Sequence, residues 1–299
     1  MIGAAEHDES PCASLLSYVG EPLKRSRYAD LKGQKMKRIA PCMIVMIIGS
    51  TLLCLGQALR KADDYYNRGV ARQEKGDLEG AIADFSEAIK LYPKYSSAYG
   101  SRGAARKAKG DIEGAVTDFS KAIEIDPQIA LPYYYRGFVF LEKQDFDNAI
   151  KDFDKALEIQ PNLAIVFQNR GDAKRGNGDL PGAISDYSKT IEIQPQNAAA
   201  YYSRGTLRQT TGDVDGAIAD FSKTIEIDSL YADAYADRGL ARLSQSLDDE
   251  AQKDFDKYLE LKKDMKNVLE QRIKYAKYQR NKKRRSSVGV WSHELNDQA

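Results

Sequence analysis

The 299-residue chain has three cysteines, two histidines and one tryptophan, and where they stand excludes as much as their scarcity. Cys12, Cys42 and Cys54 all lie in the N-terminal segment. The rest of the chain therefore has neither a disulfide framework nor a cysteine-based metal site, and it tolerates either redox compartment. His7 and His293 lie near opposite ends, so neither has a neighbourhood that would fix it against a nucleophile or a metal. Nothing in the pattern supplies a catalytic residue, a metal ligand, a cofactor site or a small-molecule substrate site. An excess of one charge is also missing. Lys+Arg total 45 and Asp+Glu 44, a formal +1, so the whole-chain balance predicts no polyanionic partner.

That neutrality conceals a segregation. Residues 1–61 hold 9 basic and 5 acidic groups, residues 62–265 hold 27 and 36, and residues 266–299 hold 9 and 3. Long apolar runs are also scarce, with one exception. Ile39 to Leu55 reads IAPCMIVMIIGSTLLCL, an uncharged run behind Lys35, Lys37 and Arg38. Read from Met36, residues 36–58 have the order of a secretory signal: a basic start, an apolar stretch, then Gly56 and Ala58 as the small residues of a cleavage site. The alternative is an uncleaved anchor, because a run of this length just spans a bilayer and the basic cluster Lys24, Arg25, Arg27 and Lys32 would stay cytoplasmic. Both predict export, to the periplasm or beyond, or an inner-membrane protein with its body outside the cytoplasm. Residues 1–35, with their basic cluster, read as an N-terminal extension that is either disordered or not part of the mature protein. Leu53 before Cys54 argues against a lipoprotein signal, which needs a small residue there.

Beyond residue 60 a strict repeat takes over. Arg-Gly pairs place Gly69, Gly103, Gly137, Gly171, Gly205 and Gly239 at one constant interval. Twelve residues after each stands Ala81, Ala115, Ala149, Ala183, Ala217 or Ala251, and four further on Phe85, Phe119, Phe153, Tyr187, Phe221 or Phe255. Pro93, Pro127, Pro161 and Pro195 close four of the six units. Gly and Ala have almost no side chain, so two antiparallel helices approach closely there. The turn between them is written Gly76-Asp77, Gly110-Asp111, Gly178-Asp179 and Gly212-Asp213, glycine ending one helix in the left-handed conformation and aspartate capping the next. Gln144 before Asp145 predicts a less favourable turn in the third unit.

These residues resemble the tetratricopeptide repeat, whose signature joins an aromatic, a glycine, an alanine, a second aromatic and a proline in this order. The resemblance covers 62–265, as 62–95, 96–129, 130–163, 164–197, 198–231 and 232–265. It departs in carrying Tyr65, Tyr99, Tyr133, Phe167, Tyr201 and Tyr235 at the tryptophan position and arginine at the leucine position. It implies an all-α, right-handed superhelical solenoid of six helix-turn-helix repeats. Leu247-Asp248-Asp249-Glu250 replaces the glycine turn in the sixth unit, and Tyr258 replaces an alanine. Met265, Leu269, Ile273 and Ala276 then form an apolar stripe predicting a capping helix over 266–283, followed by a disordered basic tail at 284–299.

Arg68, Arg102, Arg136, Arg170, Arg204 and Arg238 are followed, each at the same distance, by Asp84, Asp118, Asp152, Asp186, Asp220 and Asp254. Charges at normally buried positions need partners, so the spacing predicts ion pairs across each hairpin.

The resemblance further implies a concave groove lined by first helices, taking a peptide or protein ligand. Carried over by position, it selects Leu131, Tyr134, Phe138 and Leu141 in repeat three, Tyr66 and Tyr202 as a tyrosine row, and Lys107 and Arg175 to steer a carboxylate. Tyr133 and Phe140 read as core. The lysine and asparagine of carboxylate-clamping repeats are absent, since Tyr66, Val70, Gly100, Ala104, Tyr134 and Phe138 stand there. The expected role is a non-enzymatic scaffold in the cell envelope, with a second copy of the chain left open as a partner. Nucleic acid is not expected, and membrane contact is expected only through an uncleaved N-terminal segment. The alternative is an intracellular scaffold or regulatory subunit of a signalling or nucleic-acid complex, using the basic run Lys282-Lys283-Arg284-Arg285.

Overall fold

The computed structural model describes residues 36–296, with side chains placed from 53 to 285 apart from 283; the extension 1–35 lies outside the described residues. Among the described residues there are thirteen α-helices, one short 3-10 turn and no strand, so the expected all-α class of paired helices is what forms. They divide into two compact units at Asp111/Ile112.

The first unit contains α1 (Met36–Glu74), α2 (Leu78–Leu91) and α3 (Ser96–Ala108). Helix α1 is one continuous element of 39 residues, joining the apolar run to the first helix of the first repeat. No helix among the described residues is long and apolar enough to cross a membrane. Helix α2 buries Ala81, Phe85 and Ala88, one helical face at i, i+4 and i+7. Asp77 caps it, accepting from the Gly80 amide at 2.9 Å, behind Gly76 at φ +80°.

The second unit runs α4 (Ile112–Ile125), α5 (Ala130–Glu142), α6 (Phe146–Ile159), α7 (Ala164–Gly176), α8 (Leu180–Ile193), α9 (Ala198–Thr211), α10 (Val214–Ile227), α11 (Ala232–Ser244), α12 (Asp248–Leu261) and α13 (Lys266–Asn296). Four hairpins, α5–α6, α7–α8, α9–α10 and α11–α12, pack in chain order, each second helix against the next first helix. Asp145, Asp179 and Asp213 cap α6, α8 and α10. Gln144 takes the left-handed conformation, φ +59°, that glycine fills in neighbouring turns, so the third turn carries the strain its sequence predicts.

Two contacts recur in each of these hairpins. The aromatic ring of the second helix lies on the glycine of the first: a Cβ on Gly137 would stand 3.0 Å from Phe153 Cε1 and 3.1 Å from Asp152 Cβ. Beside it the predicted ion pair forms. Arg136 meets both carboxylate oxygens of Asp152 at 2.8 Å, and Arg170–Asp186, Arg204–Asp220 and Arg238–Asp254 repeat the fork. In the first unit Arg68 grips Asp84 the same way and, chiefly through that hydrogen bond, holds its carboxyl below the ordinary range.

The arginine also makes two contacts that spacing alone did not suggest. Its guanidinium sits over the aromatic ring three residues earlier, 4.9 Å from the Tyr65 centroid for Arg68 and 5.9 Å from the Tyr133 centroid for Arg136. Within the second unit it also donates backwards to the preceding hairpin or helix, Arg136 to Ser120, Arg170 to Asp154, Arg204 to Ser188 and Arg238 to Ser222.

Helix α13 closes the second unit. Leu269 is buried with Tyr235, Phe255 and Tyr258, and Met265, Ile273 and Ala276 pack around them. Arg272 follows Arg238 at the interval that separates the earlier arginines, so α13 begins as a seventh first helix. Its partner is lost: Ile273 replaces the glycine, and Val288 and Gly289 stand where an aspartate and a ring would follow. The helix continues to Asn296, well past Ala276 where the apolar stripe ends, so residues 284–296, expected as part of a disordered tail, are helical. The basic run lacks proline and is rich in good helix formers, which lets the backbone continue.

Asp152→Asn leaves Arg136 half-buried without its counter-charge. The expected cost is about 2–3 kcal/mol, read as a lower urea midpoint by circular dichroism; an unchanged midpoint would remove the ion pair from the account of stability.

Candidate functional site

The residues singled out for partner binding fall in both units. Tyr66 and Lys107 belong to the first. Tyr66 is half-buried: its ring lies 5.7 Å from Phe85 and 5.1 Å from Tyr95, and its hydroxyl accepts from Ser101 Oγ at 3.4 Å. Lys107 is partly exposed in the last turn of α3.

The second unit brings the other six onto first helices that pack side by side, α5 against α7 and α9 against α11. On α5, Tyr134, Phe138 and Leu141 lie partly buried over a core of Ala149, Phe153, Ala156 and Val166, together with Tyr133 and Phe140. Tyr134 is ringed by Tyr135, Phe138 and Phe153 at centroid distances of 5.2, 6.3 and 6.3 Å. Leu131, one turn earlier, is 55% exposed, and Ile165, at the same place on α7, is 48% exposed. Side by side in register, they leave aliphatic surface in water on the face whose deeper layer is aromatic. Arg175, at the far end of α7, is exposed and pairs with Asp172 at 3.2 Å.

The tyrosine row does something that the sequence did not reveal. Tyr134 Oη accepts from Asn169 Nδ2 at 3.4 Å, and Tyr202 Oη donates to Asp237 Oδ2 at 2.7 Å. With Tyr66 and Ser101, all three tyrosines of the odd-numbered repeats are thus bonded to a residue in the even-numbered repeat that follows, one place beyond their own position in it. The even repeats carry Gly100, Gln168 and Ala236 at the tyrosine's position, so this contact has a period of two hairpins. The available signal was that alternation, Tyr against small or amide, paired with Ser101, Asn169 and Asp237 one place further on. Asp172 is a second polar point: Tyr187, the one tyrosine among the ring positions, donates to it at 2.7 Å.

These bonds bear on titration. Burial raises the Tyr134 phenol, and burial followed by the Asp237 carboxylate raises Tyr202 further. Both stay neutral and hydrogen-bonding near neutral pH. Among the described residues no group of three or more His, Cys, Asp or Glu is placed to hold a metal ion.

Because a folded-state phenol pKa above the unfolded value favours the neutral form, this contribution is intact below pH about 10 and is lost as pH rises beyond it. The urea midpoint should therefore fall above pH about 10, and less steeply in Tyr202→Phe; equal slopes would exclude Tyr202 as a source.

Models of the tetratricopeptide repeat match residues 62–95 and 130–163, and a TPR repeat model matches 103–144 and 171–212. Among solved structures, MamA is 27% identical with a TM-score of 0.54, over 57% of this chain and 94% of that one. YrrB, described as a TPR protein with an unusual peptide-binding site, reaches a TM-score of 0.58 at 22% identity, over 65% and 97%. Pseudomonas aeruginosa pilF reaches 0.60 at 16% identity, over 71% and 93%; these last two likenesses speak for the fold alone. An uncharacterized protein of Methanocaldococcus jannaschii is 40% identical over 45 residues, 15% of this chain and 52% of that protein, so the chain spans about half the length of the curated relative it matches. Proteins of this repeat class bind peptide or protein partners and are typically non-enzymatic. Period, hairpin geometry and matched models agree: the chain is built of tetratricopeptide repeats.

Proposed function

We propose that the first-helix face of α5 and α7 is a peptide-binding groove and that the protein is a non-enzymatic adaptor acting in the cell envelope. The observation that carries the groove is the pair Leu131 and Ile165, exposed at the same register on adjacent helices above Tyr134, Phe138 and Leu141. Aliphatic side chains of an extended or helical segment would cover that pair, and the aromatic layer beneath gives a rigid floor of the kind that concentrates binding energy. Arg175 is exposed at the end of the same face, where an acidic group of the ligand would meet it. The bonds of Tyr134 and Tyr202 to the next repeat support a role for them in holding the floor in place, with specificity resting on Leu131, Ile165 and Arg175.

Selection from a random peptide library by the wild-type chain should enrich sequences with aliphatic residues. Leu131→Glu with Ile165→Glu should weaken the winners by roughly tenfold or more while leaving helicity unchanged. Equal binding by the double variant would move the site elsewhere.

Export rests on residues 36–58 and on the helix that contains them. Helix α1 is 39 residues long, whereas the later first helices have 13 or 14; cleavage after Ala58 would leave a first helix close to their length. Expressed from its own start in a Gram-negative host, the protein should appear outside the cytoplasm with a new N-terminus at Leu59, or intact at the inner membrane if the segment serves as an anchor. An intact chain in the cytosol would overturn export and favour the intracellular alternative.

A further inference from the structure

Helix α13 has two faces. The inner one docks on the sixth repeat through Leu269, Ile273 and Ala276 and through two arginines: Arg272 pairs with Asp237, and Arg280 donates to the Leu243 carbonyl at 3.1 Å and to Asp248 at 2.8 Å. The outer one leaves its aromatic residues in water. Tyr275 and Tyr278 are 66% and 62% exposed, and Lys282 and Arg285, also exposed, continue the same face at i+7 and i+10 from Tyr275.

The same unit carries the complementary surface. Its hairpin turns adjoin: Asn177 of one turn donates to Asp147 of the turn before it at 3.1 Å, and Gln245 to Asp215 at 2.6 Å. Along this edge Asp147, Asp179, Asp213, Asp215, Asp249 and Glu250 are exposed. In the turn segments 142–148, 175–181, 209–215 and 245–250, the exposed basic residues are Lys143 and Arg175. The chain already uses this chemistry on itself, since Arg280 holds the Asp248 carboxyl of the last turn below its ordinary range, with Lys277 and Arg284 adding to the effect.

We propose that the outer face of α13, built from Tyr275, Tyr278, Lys282 and Arg285, docks on the acidic turn edge of a second copy of this chain. Charge complementarity selects that occupant. Two α13 faces pressed together would oppose Lys282 and Arg285 to like charges. The contact is therefore heterologous, face to edge, and able to repeat from copy to copy. A net charge of +1 offers little overall repulsion against it. Neither Leu131 nor Ile165 takes part, so the proposal stands or falls separately from the groove.

The test is sedimentation velocity of the purified full-length chain at low and high salt. The expected result is self-association at low salt that weakens roughly tenfold or more when the charges are screened. It should be lost in Lys282→Glu/Arg285→Glu and in Asp215→Lys/Asp249→Lys, both still helical, and restored when the two variants are mixed. A monomer at low salt, or association indifferent to both reversals, would overturn the proposal. So would a monomeric wild type that binds single-stranded RNA or phosphatidylglycerol vesicles through α13, which would make the partner a polyanion.

Discussion

Each hairpin depends on an aromatic ring lying against a glycine that has no side chain to keep it away. With 3.0 Å between the site of an absent Gly137 Cβ and the Phe153 ring, the two helices are as close as their backbones allow. Everything polar in the hairpin is then drawn into a narrow space. In the second unit the arginine next to the glycine is largely withdrawn from water, and it is forked onto the aspartate next to the ring, laid over an aromatic and tied to the preceding helix. A family position usually filled by leucine thus becomes ionic without exposing an unpaired charge. The close helix approach makes the ion pair short and directional, and the ion pair in turn fixes the rotation of one helix on the other.

Above this uniform frame lies a second, coarser rhythm. Tyr66, Tyr134 and Tyr202 each hydrogen-bond to the repeat that follows, whereas Gly100, Gln168 and Ala236 do not supply a tyrosine to continue the chain of contacts. Repeats are therefore joined in twos by these bonds, and the bond of Tyr134 to Asn169 lies on the first-helix face of α5 and α7. That is the surface on which Leu131 and Ile165 stand out, because the deeper aromatic layer is already satisfied and they are left to water.

The fold was legible because its causes are local and repeated. The constant interval between Arg-Gly pairs, the Gly-Asp turn and the aspartate at a fixed step after each arginine all report a short-range geometry that the structure reproduces, including the strained Gln144. The site was less legible. The backward bond from arginine to Ser120, Ser188 or Ser222 needs the packing of one hairpin on the next, which spacing within a hairpin does not reveal. For the same reason Tyr134 and Tyr202, selected from the sequence as groove residues, gave no sign there of being tied to Asn169 and Asp237 in space. The extent of α13 was missed because an apolar stripe shows where a helix is covered, whereas backbone propensity decides how far it runs.

The backward tie has a consequence for how such an array changes over generations. Since each arginine asks the preceding segment for the same thing, a hydroxyl or carboxylate on one turn of helix, the seams between hairpins are nearly interchangeable. A crossover that deletes or duplicates a hairpin leaves a seam already suited to its new neighbour. The paired tyrosines make two hairpins the better step, since an odd number would set a tyrosine against the wrong side chain. Residue 273 sets the other limit: once isoleucine occupies the place of the glycine, no ring can seat there and recombination has nothing further to copy.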